Sequence, residues 1–264
     1  MDDEFAQVVE RFRRARSLPL LRLIDDAHLD RAVESEPNPT DVVQPYRWLL
    51  TRVADGVRLT QAGYLPPAVV SEAMTELGWR DDWIGKGNRE DLTIPVLELR
   101  ESAQRFGLLR KNHGQLLVTK VGRGLIDDPD GLWWHLAERL PDARSEPERH
   151  AGLLYLLTVA AGRARDDALL AQGMTVLGWA ERGTWQALSP GSAFLTARET
   201  WAAFRRLGLL PERARWDAPD LSPSPGAMRL ARAALLGRAA PATGIATPEP
   251  PRREAEQAVE LTVP

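Results

Sequence analysis

The sequence predicts a mainly α protein with small β-hairpins, an α+β class, built as two tandem repeats. Three observations predict it. The segment Ala73-Met-Thr-Glu-Leu-Gly-Trp79 returns 100 residues later as Gly173-Met-Thr-Val-Leu-Gly-Trp179, with Met, Thr, Leu, Gly and Trp in the same places. Arg105-Phe-Gly-Leu-Leu109 then finds its counterpart in Arg206-Leu-Gly-Leu-Leu210, in the same order and displaced by 101, which points to a duplicated unit. Apolar residues recur at helical spacing through most of the chain and give way to β-prone runs after Gly107.

Taken in order, residues 3–16 read as an amphipathic helix, with Phe5, Val8, Val9 and Phe12 on one face and Arg11, Arg13, Arg14 and Arg16 on the others. Residues 18–24 are a short apolar run that fits a strand or a helix, and the prolines of 35–39 make a linker. Residues 1–39 therefore form an N-terminal helical extension. The first repeat, 40–141, reads as a helix over 42–54, a short strand at 57–60 and a helix from Pro66 to Leu77 closed by Gly78. A polar loop and a third helix, 93–106, follow. Leu108 to Lys111 and Gln115 to Thr119, around Asn-His-Gly, have hairpin chemistry. Thr119 can cap a short helix, and a further helix covers 129–140.

The second repeat, 148–237, lacks the Leu-Thr-Gln-Ala-Gly-Tyr-Leu insert found at 59–65. Thr196-Ala-Arg-Glu199 reads as a capping box, and prolines interrupt the hairpin region 211–221. A last helix falls within 222–236. Residues 238–264, rich in Ala, Pro, Thr and Glu, read as a disordered tail.

Composition bounds the function. The chain has 264 residues, 44% hydrophobic and 27% charged, as an ordinary globular protein does. No run approaches the ~20 apolar residues of a membrane span, so no membrane partner is expected. The acidic start, Met-Asp-Asp-Glu, has no apolar signal core. Absence of cysteine removes disulfides and thiolate chemistry and predicts a cytoplasmic address. A net charge of −3 gives no global attraction to nucleic acid, yet between Leu99 and Gly124 six basic residues face one acid, Glu101.

Three helices, a hairpin and a short helix after Leu-Val-Thr-Lys-Val-Gly make the order of a winged helix-turn-helix. FGLLRKNHGQLLVTKVGRGLI resembles the recognition-helix exit, wing and closing helix of winged-helix proteins. The wider stretch, from VRLTQAGYLPPAVV to DPDGLWWHLAERLP, is similar to uncharacterised proteins of high-GC bacteria related to the plasmid Ri open-reading-frame-three group. The resemblance covers 45–140 well and 148–236 weakly. It implies contact with duplex DNA through the third helix and the wing, or contact with protein by the same surfaces.

The nucleic-acid candidates are Arg100, Gln104 and Arg105 on the third helix, Arg110, Lys111, Asn112 and His113 on the hairpin, and Lys120 and Arg123 beyond it. Glu98 and Glu101 share that helix and oppose phosphate. Adjacent Trp133 and Trp134 cannot both face one side of a helix, so they are the candidates for a protein partner or homodimer surface. Trp79 and Trp179 read as core residues sealing the turn. Asp81, Asp82, Glu90 and Asp91 read as a solvated acidic turn. His135 and Glu138 stand three apart without further ligands, Gly85-Lys-Gly87 lacks a phosphate-loop spacing, and Ser192 after Gly191 has no Gly-x-Ser-x-Gly context. A non-enzymatic protein without cofactor or metal is expected.

Overall fold

Twelve α-helices and a three-stranded antiparallel sheet make up the described residues of a computed structural model, which are 3–31, 33–81, 83–163, 165–210 and 222–237. The helices α1 (Asp3–Arg14) and α2 (Leu18–Asp26) precede α3 (Pro39–Val42) and α4 (Gln44–Arg52). Strand β1 (Val57–Arg58), α5 (Pro67–Glu76), α6 (Ile94–Arg105), β2 (Leu109–Asn112) and β3 (Gln115–Val118) follow, then α7 (Lys120–Leu125) and α8 (Pro129–Arg139). The C-terminal half contributes α9 (Glu146–Ala160), α10 (Asp167–Val176), α11 (Pro190–Arg206) and α12 (Pro225–Leu236). No helix of the described residues is long and apolar enough to cross a membrane.

Nine of these helices carry proline in their first turn. There the missing N–H would have no intrahelical partner, and the fixed φ is already helical. The same rule settles two of the expectations. Residues 18–24 form a helix, since Pro19 suits its first turn and Leu20 and Leu23 recur at the spacing that buries both. The single helix expected over 42–54 is instead two, because Pro45 has no N–H to carry the ladder across Val43.

Two further expectations are corrected. Thr196 lies in mid-helix, its hydroxyl bonded back to the Ser192 carbonyl at 2.8 Å. Helix α11 starts earlier, where Ser189 Oγ accepts from the Ser192 amide, and the reciprocal capping box belongs to Ser145 and Glu148 on α9. The hairpin turn has two residues, not three. Asn112 pairs with Gln115, and His113 and Gly114 take φ of 45° and 74°, the left-handed pair that matches strand twist. The second hairpin expected at 211–221 and the tail at 238–264 lie outside the described residues.

Every residue of α9 from His150 to Ala160 is buried, because α10, α11, α12 and α2 pack around it. The N-terminal helices cover this half: α1 lies on α10, and α2 on α9 and α10. Arg11 donates to the Leu177 carbonyl at 2.9 Å, and Arg149 meets Glu4 at 3.0 Å. Between these contacts His150 Nδ1 accepts the Trp179 indole N–H at 2.9 Å, which places a neutral imidazole's proton on Nε2, toward Glu4 Oε1 3.6 Å away. Trp179 closes its turn with this hydrogen bond, but it is half-buried at the edge of the core and not within it as expected.

Burial holds the His150 pKa below the usual histidine value, against the opposing pull of Glu4 and Glu146; Arg11 and Arg149 add to the lowering. The unfolded chain therefore takes up the proton first, near pH 6.5, so this contribution to stability is complete above that pH and is lost as pH falls below it. The melting temperature should drop between pH 7 and pH 5. His150→Gln, which can still accept from Trp179, should remove that part of the drop; an unchanged pH profile in this variant would refute the assignment.

Candidate nucleic-acid interface

The sheet runs in the order β1-β3-β2. Directly paired residues share a face, so Arg58, Gln115 and Asn112 stand on one side with Leu117 and Arg110. Val57, Leu116, Leu109 and Val118 form the other side and are buried against the helices. Gly107, at φ 72°, ends α6 in the left-handed conformation and turns the chain into β2. Thr119 then caps α7 by accepting the Gly122 amide at 3.0 Å. Gly122 is packed so closely on Leu108 that the Leu108 carbonyl occupies the space a β-carbon would need. Helix α7 is thereby held against the sheet, with Lys120 and Arg123 exposed.

The expected cations divide into two groups. Arg110, Lys120 and Arg123 are exposed and form no ion pair among the described residues. His113 is exposed in the turn, and Asn112 half-buried on the outer face. Arg58 joins them: exposed, unpaired among the described residues and directly opposite Gln115. It was missed because Val57 to Thr60 read only as a short strand; the alternation buried-exposed along that strand was the available signal. A polar recess beside the turn is lined by Arg58, Thr60, Gln61, His113 and Gln115. Lys111 belongs to the inner face at its rim, where Nζ donates to the Gly63 carbonyl at 2.9 Å. Partial burial, and then Arg100, lower its pKa.

The third-helix candidates are not presented to solvent in the same way. Arg100 is 3% exposed, with Nε 2.5 Å from Glu90 Oε1 and Nη1 2.5 Å from Gln104 Oε1. Glu90 is buried, and its second oxygen accepts the Leu65 amide at 2.6 Å. Its place in a solvated turn is thus corrected: the carboxylate folds inward to meet a guanidinium and an amide. Asp91 pairs with Arg89 at 2.7 Å, and Asp82 lies outside the described residues. Arg105 meets Glu199 of α11 at 2.9 Å, because α6 lies along α11 rather than on the open surface. The five cations Arg100, Arg105, Arg110, Lys111 and Arg123 therefore do not share one exposed face.

Trp133 and Trp134 are 0% and 6% exposed, packed edge to face with ring centroids 4.9 Å apart. Helix α8 is covered by α3 and by α12, so both sides of the helix are interior and neither indole offers a surface. His135 Nε2 sits 2.8 Å from the Phe106 carbonyl, a structural contact at the end of α6. Comparison with protein-family models, curated proteins and solved structures finds no match.

The buried pair sets a stability test. Removing one partner leaves the other charge uncompensated in the interior, which costs about 3–5 kcal/mol. Glu90→Ala should lower the free energy of unfolding in urea by that amount, whereas Glu90→Leu combined with Arg100→Met should recover most of it. A loss for Glu90→Ala within that of an ordinary surface substitution would show that the pair is not desolvated.

Proposed function

We propose that the chain is a non-enzymatic nucleic-acid-binding protein whose first copy is a winged-helix module acting through the outer face of its sheet and α7. The second copy, on this reading, is a degenerate module of the same kind, and the protein works in the cytoplasm. The order helix, strand, two helices, two strands, with the sheet arranged β1-β3-β2, supports the module. One observation carries the site. From Gly107 to Ile126 no acidic residue occurs, and Arg58, Arg110, Lys120 and Arg123 are exposed without a carboxylate partner among the described residues. Cations left free of local acids are those that can release counterions from phosphate. Helix α6 contributes little directly, since its arginines are engaged by Glu90 and Glu199.

Fluorescence anisotropy with labelled duplex DNA tests this at about 50 mM salt and upward. The triple variant Arg58→Ala, Arg110→Ala, Arg123→Ala should bind at least about tenfold more weakly, and its log–log salt slope should shrink by about 0.9 for each phosphate it no longer neutralises. A control that removes Arg13 and Arg14 from α1 should bind as the parent does. No binding at low salt, or an equal loss in the control, would refute the reading.

A second reading, protein interaction, shifts from Trp133 and Trp134 to two loop tips. Ile84 and Trp185 are 97% and 101% exposed and occupy corresponding loops of the two copies, displaced by 101. Loss of a co-purifying protein in an Ile84→Ser, Trp185→Ser variant that still binds as the parent does to DNA would favour it.

A further inference from the structure

Glu98 and Glu199 stand at the same place in the duplicated sequence, displaced by 101, and so do Arg105 and Arg206. In the folded chain these four residues pair crosswise. Arg105 Nη1 lies 2.9 Å from Glu199 Oε2, and Arg206 Nε lies 3.6 Å from Glu98 Oε2. When residue i of one unit meets j of the other, and j meets i, the interface is isologous about a two-fold axis. Here that axis passes between α6 and α11 of a single chain. Ser102 and Ala202 line a recess beside Glu98, Arg105 and Glu199, together with Glu101 and Arg144. Three of the four side chains are shielded from water, Arg206 at 6%, Arg105 at 11% and Glu98 at 14% exposed, while Glu199 at the rim is 49% exposed.

The chemistry of the seam selects its occupant. Each helix offers a carboxylate and, seven residues on, a guanidinium, two turns apart on one face and separated by about 10 Å along the axis. Only a helix with the same spacing, turned by the two-fold axis, satisfies both charges at once. A uniformly acidic or basic partner helix would leave one of them unpaired in a sheltered place. We propose that the seam is a homodimer interface captured within one chain, and that a second copy of this chain can replace either half by exchanging repeats. The connection between α8 and α9, from Leu140 to Ser145, supplies the hinge; Asp142 and Arg144 on it are exposed. Exchange through a short hinge remakes every contact between partners that was made within the chain. The proposal is independent of nucleic-acid binding.

Charge reversal tests it in the full chain, on an Arg198→Ala background that removes the unreciprocated contact of Arg198 with Glu98 at 3.3 Å. One variant, E98R/E199R, has an all-cationic seam; the other, R105E/R206E, has an all-anionic one. Neither can close its own seam without repulsion, but each complements the other. Unfolded in urea and refolded together in equimolar amounts, they should yield a species of twice the single-chain mass by light scattering, holding one chain of each kind. A mixture that gives only single-chain species or aggregate overturns the proposal. The four-fold reversal E98R/R105E/E199R/R206E restores every pair with opposite polarity. It should be monomeric and melt above either double variant, though below the Arg198→Ala parent, because the Arg206 cation over Trp79 and the Arg105 cation over Phe106 are lost. A melting point as low as theirs would equally overturn the proposal.

Discussion

The contact between Glu90 and Arg100 joins three segments of the first half of the chain at one buried point. One carboxylate oxygen takes the guanidinium of α6, and the other takes the amide of Leu65, the residue that ends the loop after β1. The loop entering α6, the helix itself and the loop leaving the edge strand are thereby brought to one point. Both side chains are shut away from water, so only the paired arrangement is tolerable: either charge alone would demand hydration that the site does not offer. Lys111 of the hairpin fastens the same loop, its Nζ donating to the Gly63 carbonyl at 2.9 Å. The corresponding position in the second copy is Trp201, and that copy also lacks the insert that Leu65 closes. Pair and insert occur together, as a charge and the segment it fastens should.

Much of the fold was legible because its signals are local. Prolines at helix starts, glycines at helix ends, and the run of β-prone residues around His113-Gly114 report on a few neighbouring residues, and there the structure agrees with them. Misreadings arose where a second element decided the matter. A helical wheel places Arg100 and Arg105 outward, but it cannot see that Glu90 folds over one and that α11 lies against the other. Trp133 and Trp134 fail the same way: adjacent residues point apart, and only a helix enclosed on both sides can bury both. Thr196 and Glu199 match a capping box in spacing, yet Ser189 and Pro190 start the helix seven residues earlier. Where competing caps exist, the first that can be satisfied takes the helix.

The site was legible in part for a related reason. A basic residue is useful to a polyanion only if no carboxylate reaches it first. Sequence counted six cations across Leu99 to Gly124; the structure removes Arg100 and Arg105 into ion pairs, turns Lys111 toward Gly63, and adds Arg58 from another strand. What remains is smaller but unopposed. The two stretches that the repeated sequence aligns also meet in the fold, α6 lying along α11. The third helices face each other, and the first copy's sheet and α7 are left to face outward.

Trp79, half-buried at the end of the turn after α5, has one more property. The Arg206 guanidinium stands over its indole, 5.1 Å from the ring centroid, so this tryptophan lies at the join between the two copies. Arg206 is also the residue that meets Glu98 across the join. Any motion that separates the copies must lift a cation from that ring and admit water to it. Opening of the join is thus registered at one indole: Trp79 gains water as the cation leaves, whereas Trp185, already fully exposed, gains none.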